Sequence, residues 1–322
     1  MKRVAPLFAC LLLSACAGAT VIAPAALHAP DGWTPLAVET RPVGLGVPGG
    51  VRLASGVRFS GGLEIVAPAG DRLHGLSDLK LSGDELLMVS DAGDLFRARL
   101  ALDGRGRATG LSDLRARPLT GEDGRIFQSK SEGDAEALAV ADDGVLIVGF
   151  EQRPRLWGYG SPADLRDRPL ALPVPPVPPG NEGIEALAAA AGGWRVAGEA
   201  GGVWDCGREA CVVVAAPAAT PVPVSDWRIT GMDRDPIGAG WFVVQRRFRA
   251  PIDMRARIRR MDADGVLGPV LVELSLPSTT DNFEGIAAVR QADATRLYIL
   301  SDDNGNARQR TLLLAFDVRP VR

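Results

Sequence analysis

The chain has 322 residues, 46% of them apolar and 23% charged, with a formal net charge of −3 at pH 7. This apolar share supports a packed core and excludes a disordered chain. The acidic balance argues against a nucleic-acid partner.

In chain order, residues 1–15 form a lipoprotein signal peptide. Lys2 and Arg3 are followed by the apolar run Leu7 to Leu13, which is too short to span a membrane as a mature helix. Leu13-Ser14-Ala15-Cys16 matches the bacterial lipobox, in which the cysteine is lipidated and becomes the first mature residue. Ala17 follows, with no Asp to hold the protein at an inner membrane. The expected location is the cell envelope, at the periplasmic face of the outer membrane, with Cys16 as the membrane anchor. Residues 16–31 are small and Pro-containing and form a tether, leaving residues 32–322 as one domain. Of the four cysteines, Cys10 leaves with the signal and Cys16 carries lipid. Cys206 and Cys211 are expected to form a disulfide in an oxidising envelope.

From Trp33 to Pro68 the sequence predicts Gly-broken strands: Gly50 to Leu53, Val57 to Ser60 and Leu63 to Val66. A repeated unit then begins, in which a short apolar strand, a polar turn and a second apolar strand end at a polar residue. The copies are Gly75–Leu79 with Leu86–Val89, ending at Asp91, and Asp134–Val140 with Val145–Val148, ending at Glu151. Glu182–Ala188 with Trp194–Ala197 ends at Glu199, and Ile229–Met232 with Trp241–Val244 ends at Gln245. The clearest copy runs from Asp281 through Ile286–Val289 and Leu297–Leu300 to Asp302. Outer hairpins follow at Leu95–Leu100 and at Arg257–Asp262 with Val270–Leu274, and residues 173–180 are a Pro-rich connection. A repeat of roughly 50 residues with several short strands per unit predicts an all-β β-propeller. Five visible units, and one more built from both termini, predict six four-stranded blades. The run Thr311–Val318 would pair with N-terminal strands and close the ring.

The segment DNFEGIAAV followed by LYILSDDNGNARQRTLLLAFDV resembles the end of the phytase-like domain, the "esterase-like activity of phytase" family. GLSDL…LLMVSDAG, DAEALAV…LIVGFEQRPRLWGY and WFVVQRRF extend the resemblance over residues 60 to 318. It implies a β-propeller of secreted or envelope proteins, linked to phosphoester or ester hydrolysis. In this sequence Gly305-Asn306 follows SDDN, where the family commonly has a bulky residue.

A propeller axis gathers the inner-strand ends. Carboxylates placed there would repel one another unless their pKa values rise or a cation neutralises them. The expected metal ligands are Asp91, Glu151, Glu185, Glu199, Asp302, Asp303 and Asn304. Their all-oxygen donor set suits calcium. Glu136 and Glu284 are the candidate catalytic acids, and Arg153, Arg246 and Arg247 are candidates to clamp a phosphate. The substrate expected is a small ester or phosphoester. No Gly-x-Ser-x-Gly elbow, no His-Glu-x-x-His and no P-loop is present. Ser77-Asp-Leu-Lys80 matches Ser-x-x-Lys, but on a predicted strand. The competing expectation is a non-catalytic envelope binding platform, whose acids are consumed by backbone N–H groups and by arginines of the next blade.

Overall fold

A computed structural model describes residues 32–68 and 70–319. The signal peptide, Cys16 and the tether lie outside the described residues. The chain opens with β1 (Thr34–Pro35), β2 (Glu39–Pro42), β3 (Val51–Leu53) and β4 (Val57–Val66). Blade 1 is β5 (Leu76–Ser82), β6 (Glu85–Ser90), β7 (Asp94–Leu102) and β8 (Ala108–Pro118). A single helical turn, α1 (Lys130–Gly133), precedes blade 2, which is β9 (Ala135–Val140), β10 (Leu146–Phe150), β11 (Arg155–Ser161) and β12 (Asp164–Leu172). Blade 3 is β13 (Ile184–Ala190), β14 (Gly193–Gly198), β15 (Val203–Cys206) and β16 (Cys211–Ala215). Blade 4 is β17 (Arg228–Arg234), β18 (Trp241–Arg249), β19 (Asp253–Met261) and β20 (Leu267–Ser275). Blade 5 begins with β21 (Asn282–Arg290), β22 (Thr295–Asp302) and β23 (Thr311–Val318).

β4 supplies the fourth strand of blade 5, pairing antiparallel with β23 from Val57↔Val318 to Ile65↔Thr311. β2 extends that sheet beyond β4, β1 extends blade 1, and β3 extends blade 4. The fold is therefore an all-β propeller of five blades, not six. The terminal strands do close the ring, but by completing the fifth blade rather than by building another. Its own hairpin supplies only three strands, and the fourth comes from the far end of the sequence.

The packing agrees with this count. Five apolar clusters fill the five seams between neighbouring blades. Phe242, Val244, Phe283 and Ile286 pack between blades 4 and 5, and Leu63, Leu76, Leu79 and Tyr298 seal blade 5 against blade 1. The inner strands approach closely enough that a Cβ on Gly231 would stand 2.1 Å from the Glu284 carbonyl oxygen. At Gly231, and at Gly285, where a Cβ would stand 2.8 Å from Asp78 Cα, a side chain would push neighbouring inner strands apart.

The centre of the ring is plugged by an ion pair. Lys80 Nζ donates to both Asp78 oxygens at 3.1 and 2.9 Å, and to the carbonyls of Leu79, Met232 and Ile286 at 3.0–3.3 Å. Asp78 in turn accepts the backbone N–H of Leu138 at 2.8 Å. One lysine and one aspartate thus tie blades 1, 2, 4 and 5 together. Cys206 and Cys211 are joined by a disulfide across the β15–β16 hairpin.

Candidate active site

The inner strand of every blade carries a bulge near the mouth. Its pairing with the second strand slips by one residue, leaving Ser77, Glu136, Glu185, Thr230 or Glu284 unpaired. A bulge turns its extra side chain out of the ordinary pleat, and all five residues are buried. The five are structurally equivalent, so three glutamates and two hydroxyls form one ring.

A second ring lies where each second strand reaches the mouth, at Asp91, Glu151, Glu199, Arg246 and Asp302. The N–H of Asp91 bonds to Gly75 O at 2.9 Å, that of Glu151 to Asp134 O at 2.9 Å and that of Glu199 to Gly183 O at 3.0 Å. Arg246 and Asp302 are register partners of Arg228 and Asn282. The opposing residues Gly75, Asp134, Gly183, Arg228 and Asn282 make the third ring. Gly75 has φ +63°, and a Cβ there would stand 2.1 Å from Asp91 Oδ1, so the glycine makes room for that carboxylate.

Three cations face these acids. Arg228 pairs with Glu199, and Arg246 Nη2 lies 3.3 Å from Glu199 and 3.4 Å from Glu284. Lys130 pairs with Asp91 and reaches Asp134 at 3.6 Å. Asn282 Nδ2 donates to Glu284 Oε1 at 2.7 Å. The remaining charge is only partly offset. Burial first, then Glu284, Asp134 and Glu151, raise Glu136 well above the ordinary carboxylate range. Burial and then Glu136, Glu199 and Glu151 do the same to Glu185. Burial pushes Glu151 up to about 7 and Asp302 up to about 8. Glu284 rises to about 7 through burial, with Arg246 and Asn282 opposing.

Two sets of carboxylates offer oxygens within 4.8 Å of one another: Asp134, Glu136 and Glu151, and then Glu151, Glu185 and Glu199. Oxygen ligands at about 2.3–2.6 Å from a common calcium ion fit within that span. Glu151 Oε1 and Asp134 Oδ1 are buried without a hydrogen-bond partner, and only the second has a cation near it, Lys130 Nζ at 3.6 Å; an orphaned acceptor such as Glu151 Oε1 calls for a ligand. These acidic groups could therefore hold a metal ion.

The sequence profile described as "Phytase-like: Esterase-like activity of phytase" matches residues 71–305, well over half of the chain. The chain belongs to the phytase-like family. No curated protein sequence matches it. Among solved structures, this phytase-like chain is similar to a putative gluconolactonase at 13% identity and TM-score 0.47, covering 90% of this chain and 96% of that one. It is also similar to the allergen Mala s 1 of Malassezia sympodialis at 15% identity and TM-score 0.46, covering 84% and 92%. Likenesses at this level assign no activity.

In the phytase-like chain Glu136 and Glu284, the two candidate catalytic residues, are both bulge residues, and Glu185 joins them. Of the expected ligands, Glu151, Glu185 and Glu199 fall in the metal-sized groups, while Asp91 is held by Lys130. Asp302 Oδ1 accepts the Asn304 N–H at 2.7 Å. Asp303 accepts Gly305 N at 2.9 Å and Thr311 Oγ1 at 3.1 Å. Asn304 donates to Gln309 at 3.3 Å. Asp303 also accepts the Gly75 N–H of blade 1 at 3.3 Å, so it ties its loop to the neighbouring blade, while Asn304 stays in the turn network of its own loop. Arg246 stands inside the carboxylate rings, whereas Arg153 is at the exposed rim, 3.6 Å from Glu132. Arg247 lies beside Trp227. Asp134, Arg228 and Lys130 were missed in sequence. Asp134 was legible as the acid two residues before Glu136, in the slot that glycine fills in blades 1 and 3.

Proposed function

We propose that this protein is an envelope-anchored hydrolase of phosphoesters or carboxylic esters, acting at the propeller mouth with bound calcium. The observation that carries the reading is the set of buried carboxylates from blades 2 and 3 around the orphaned Oε1 of Glu151. Asp134, Glu136, Glu151, Glu185 and Glu199 would hold the cation. A cation there would polarise a bound ester or phosphoryl oxygen and acidify water. Glu284, outside both metal-sized groups and oriented by Asn282, is suited to move a proton, because its pKa of about 7 lets it both take and give one near neutrality. Arg153, exposed at the rim beside Glu132, would meet an incoming anion. Cys16 would tether the protein to the membrane.

The binding-platform reading is favoured by one observation. Glu199 is claimed by two arginines of the next blade, Arg228 and Arg246. Glu136, Glu151 and Glu185 have no such cation partner among the described residues, which favours the hydrolase. The test is hydrolysis of phytate and of a short-chain aryl ester by the chelated protein, then with calcium restored. Calcium-dependent turnover, reduced on the order of 10²–10⁴-fold in Glu284→Gln, supports the proposal. No turnover of either substrate with calcium present, or turnover indifferent to Glu284→Gln, counts against it.

A further inference from the structure

The seam between blades 3 and 4 has the smallest of the five apolar clusters. At its end away from the mouth it is closed by Arg195, which makes four hydrogen bonds. Arg195 binds Asp205 through two nitrogens at 2.7 and 2.8 Å, donates to the carbonyls of Asp262 and Ala263, and stacks 3.7 Å from the Trp241 centroid.

Toward the mouth the same face carries arginines without that provision. Val243 belongs to the seam, and strand alternation puts Gln245, Arg247 and Arg249 on its face. Across the ladder Arg259 faces Val243, Arg257 faces Gln245 and Arg255 faces Arg247. Arg255 is satisfied by Asp253 at 2.7 Å, with Glu273 at 3.6 Å, and Arg259 by the carbonyls of Gly268 and Leu267. Arg257 gives one bond, to Gln245 Oε1 at 2.8 Å, and has no carboxylate within 4.0 Å among the described residues. Arg247 reaches Asp253 only at 3.8 Å, and its Nε is buried with no hydrogen-bond partner.

Both guanidiniums lie against one indole, 4.9 Å (Arg247) and 4.1 Å (Arg257) from the Trp227 centroid. The loop bearing Trp227 is stitched to β18, with Phe248 N–H bonded to Val224 O and Arg249 Nε to Ser225 O, both at 3.0 Å. Burial first, then Arg259, bring Arg257 down to about 10. Two guanidiniums against one indole, one with no carboxylate within 4.0 Å among the described residues and the other with Asp253 only at 3.8 Å, favour an anion between them and solvent.

We propose that Arg247, Arg257 and Trp227 form an oxyanion-binding site of phosphate size at the rim of the mouth. Arg247 follows Arg246, and Trp227 precedes Arg228, so the site borders the carboxylate rings through two consecutive-residue links. On the hydrolase reading, on which this further step rests, it holds a second anionic group of the substrate away from the bond that is cleaved. The favoured substrate then carries at least two anionic groups.

The test titrates inorganic phosphate into the full-length protein in detergent with excess chelator, so that no metal contributes. Binding is followed by calorimetry and tryptophan fluorescence, with folding checked by thermal melting. Phosphate should bind the wild type and lose at least tenfold in affinity in Arg257→Gln and in Arg247→Gln. Arg257→Lys should lose less. Trp227→Phe should bind but lose the fluorescence response. If Arg257→Gln fails to fold, Arg247→Gln decides. Absence of binding to the wild type, or unchanged affinity in the glutamine variants, overturns the site. With calcium restored, the same variants should raise KM for a doubly phosphorylated ester more than for a singly phosphorylated one; an equal effect on both would overturn the second-group role. If no ester is turned over, the hydrolase reading fails while the phosphate titration still decides the anion site.

Discussion

Arg246 occupies the position that blades 1, 2, 3 and 5 give to Asp91, Glu151, Glu199 and Asp302. It is the one member of that ring with positive charge, and it bridges Glu199 and Glu284. Burial disfavours its guanidinium, but Glu284, Glu185 and Glu199 outweigh that and raise its pKa. Arg246→Met removes the bridge, leaving Glu284 buried without its cation and Glu199 held by Arg228 alone. The expected loss is about 3–5 kcal/mol of stability, read by thermal melting, and calcium should recover part of it. Gly75→Ala makes a second residue-scale prediction. The new Cβ would collide with Asp91 and sit at a φ that L-residues avoid, so the variant should lose roughly 1–3 kcal/mol. A melting temperature equal to wild type would show that Asp91 is free to move aside.

At the scale of elements, each of the five inner-plus-second strand pairs was legible in sequence, because each is a short apolar run bounded by polar turn residues. Gly83 and Gly144, at φ +61° and +81°, make two of those turns. The bulges were not legible, since an extra residue in one strand leaves the apolar pattern almost unchanged. The fourth copy was taken to end at Gln245, one residue short of Arg246, because Gln245 is the first polar residue after the apolar run. The sixth blade was miscounted for a related reason: β4 and β23 each look like a strand of a new unit, and only pairing at a separation of some 250 residues makes them one outer edge. The role of Lys80 was also hidden, because Ser77-Asp-Leu-Lys80 gives no sign that the lysine reaches carbonyls of three blades. Lys80→Met should cost about 3–5 kcal/mol by stranding Asp78. The double variant Asp78→Asn, Lys80→Met should cost clearly less, which a denaturant midpoint would measure. Equal losses would mean that the pair is not a unit.

For the whole molecule, the axial acids couple stability to pH. Folding raises Glu151 and Glu284 to about 7 and Asp302 to about 8, above their ordinary values of 4.5 and 3.8. The folded state therefore binds more protons than the unfolded state between about pH 4 and 8. That contribution is fully present below the unfolded values and is lost as pH rises through the folded ones. The chelated protein should accordingly become less stable from pH 5 to pH 8. Calcium should stabilise it little at pH 5 and most at pH 8, where protons no longer compete, so the melting curves with and without calcium should diverge as pH rises. The measurement that tests the account most directly is calorimetric titration of calcium into the chelated protein at pH 7.5, beside Glu185→Gln. The account predicts calcium binding to the wild type, weakened at least tenfold in the variant. A wild type that binds no calcium, or a variant that binds it equally well, would contradict a cation site at the propeller mouth.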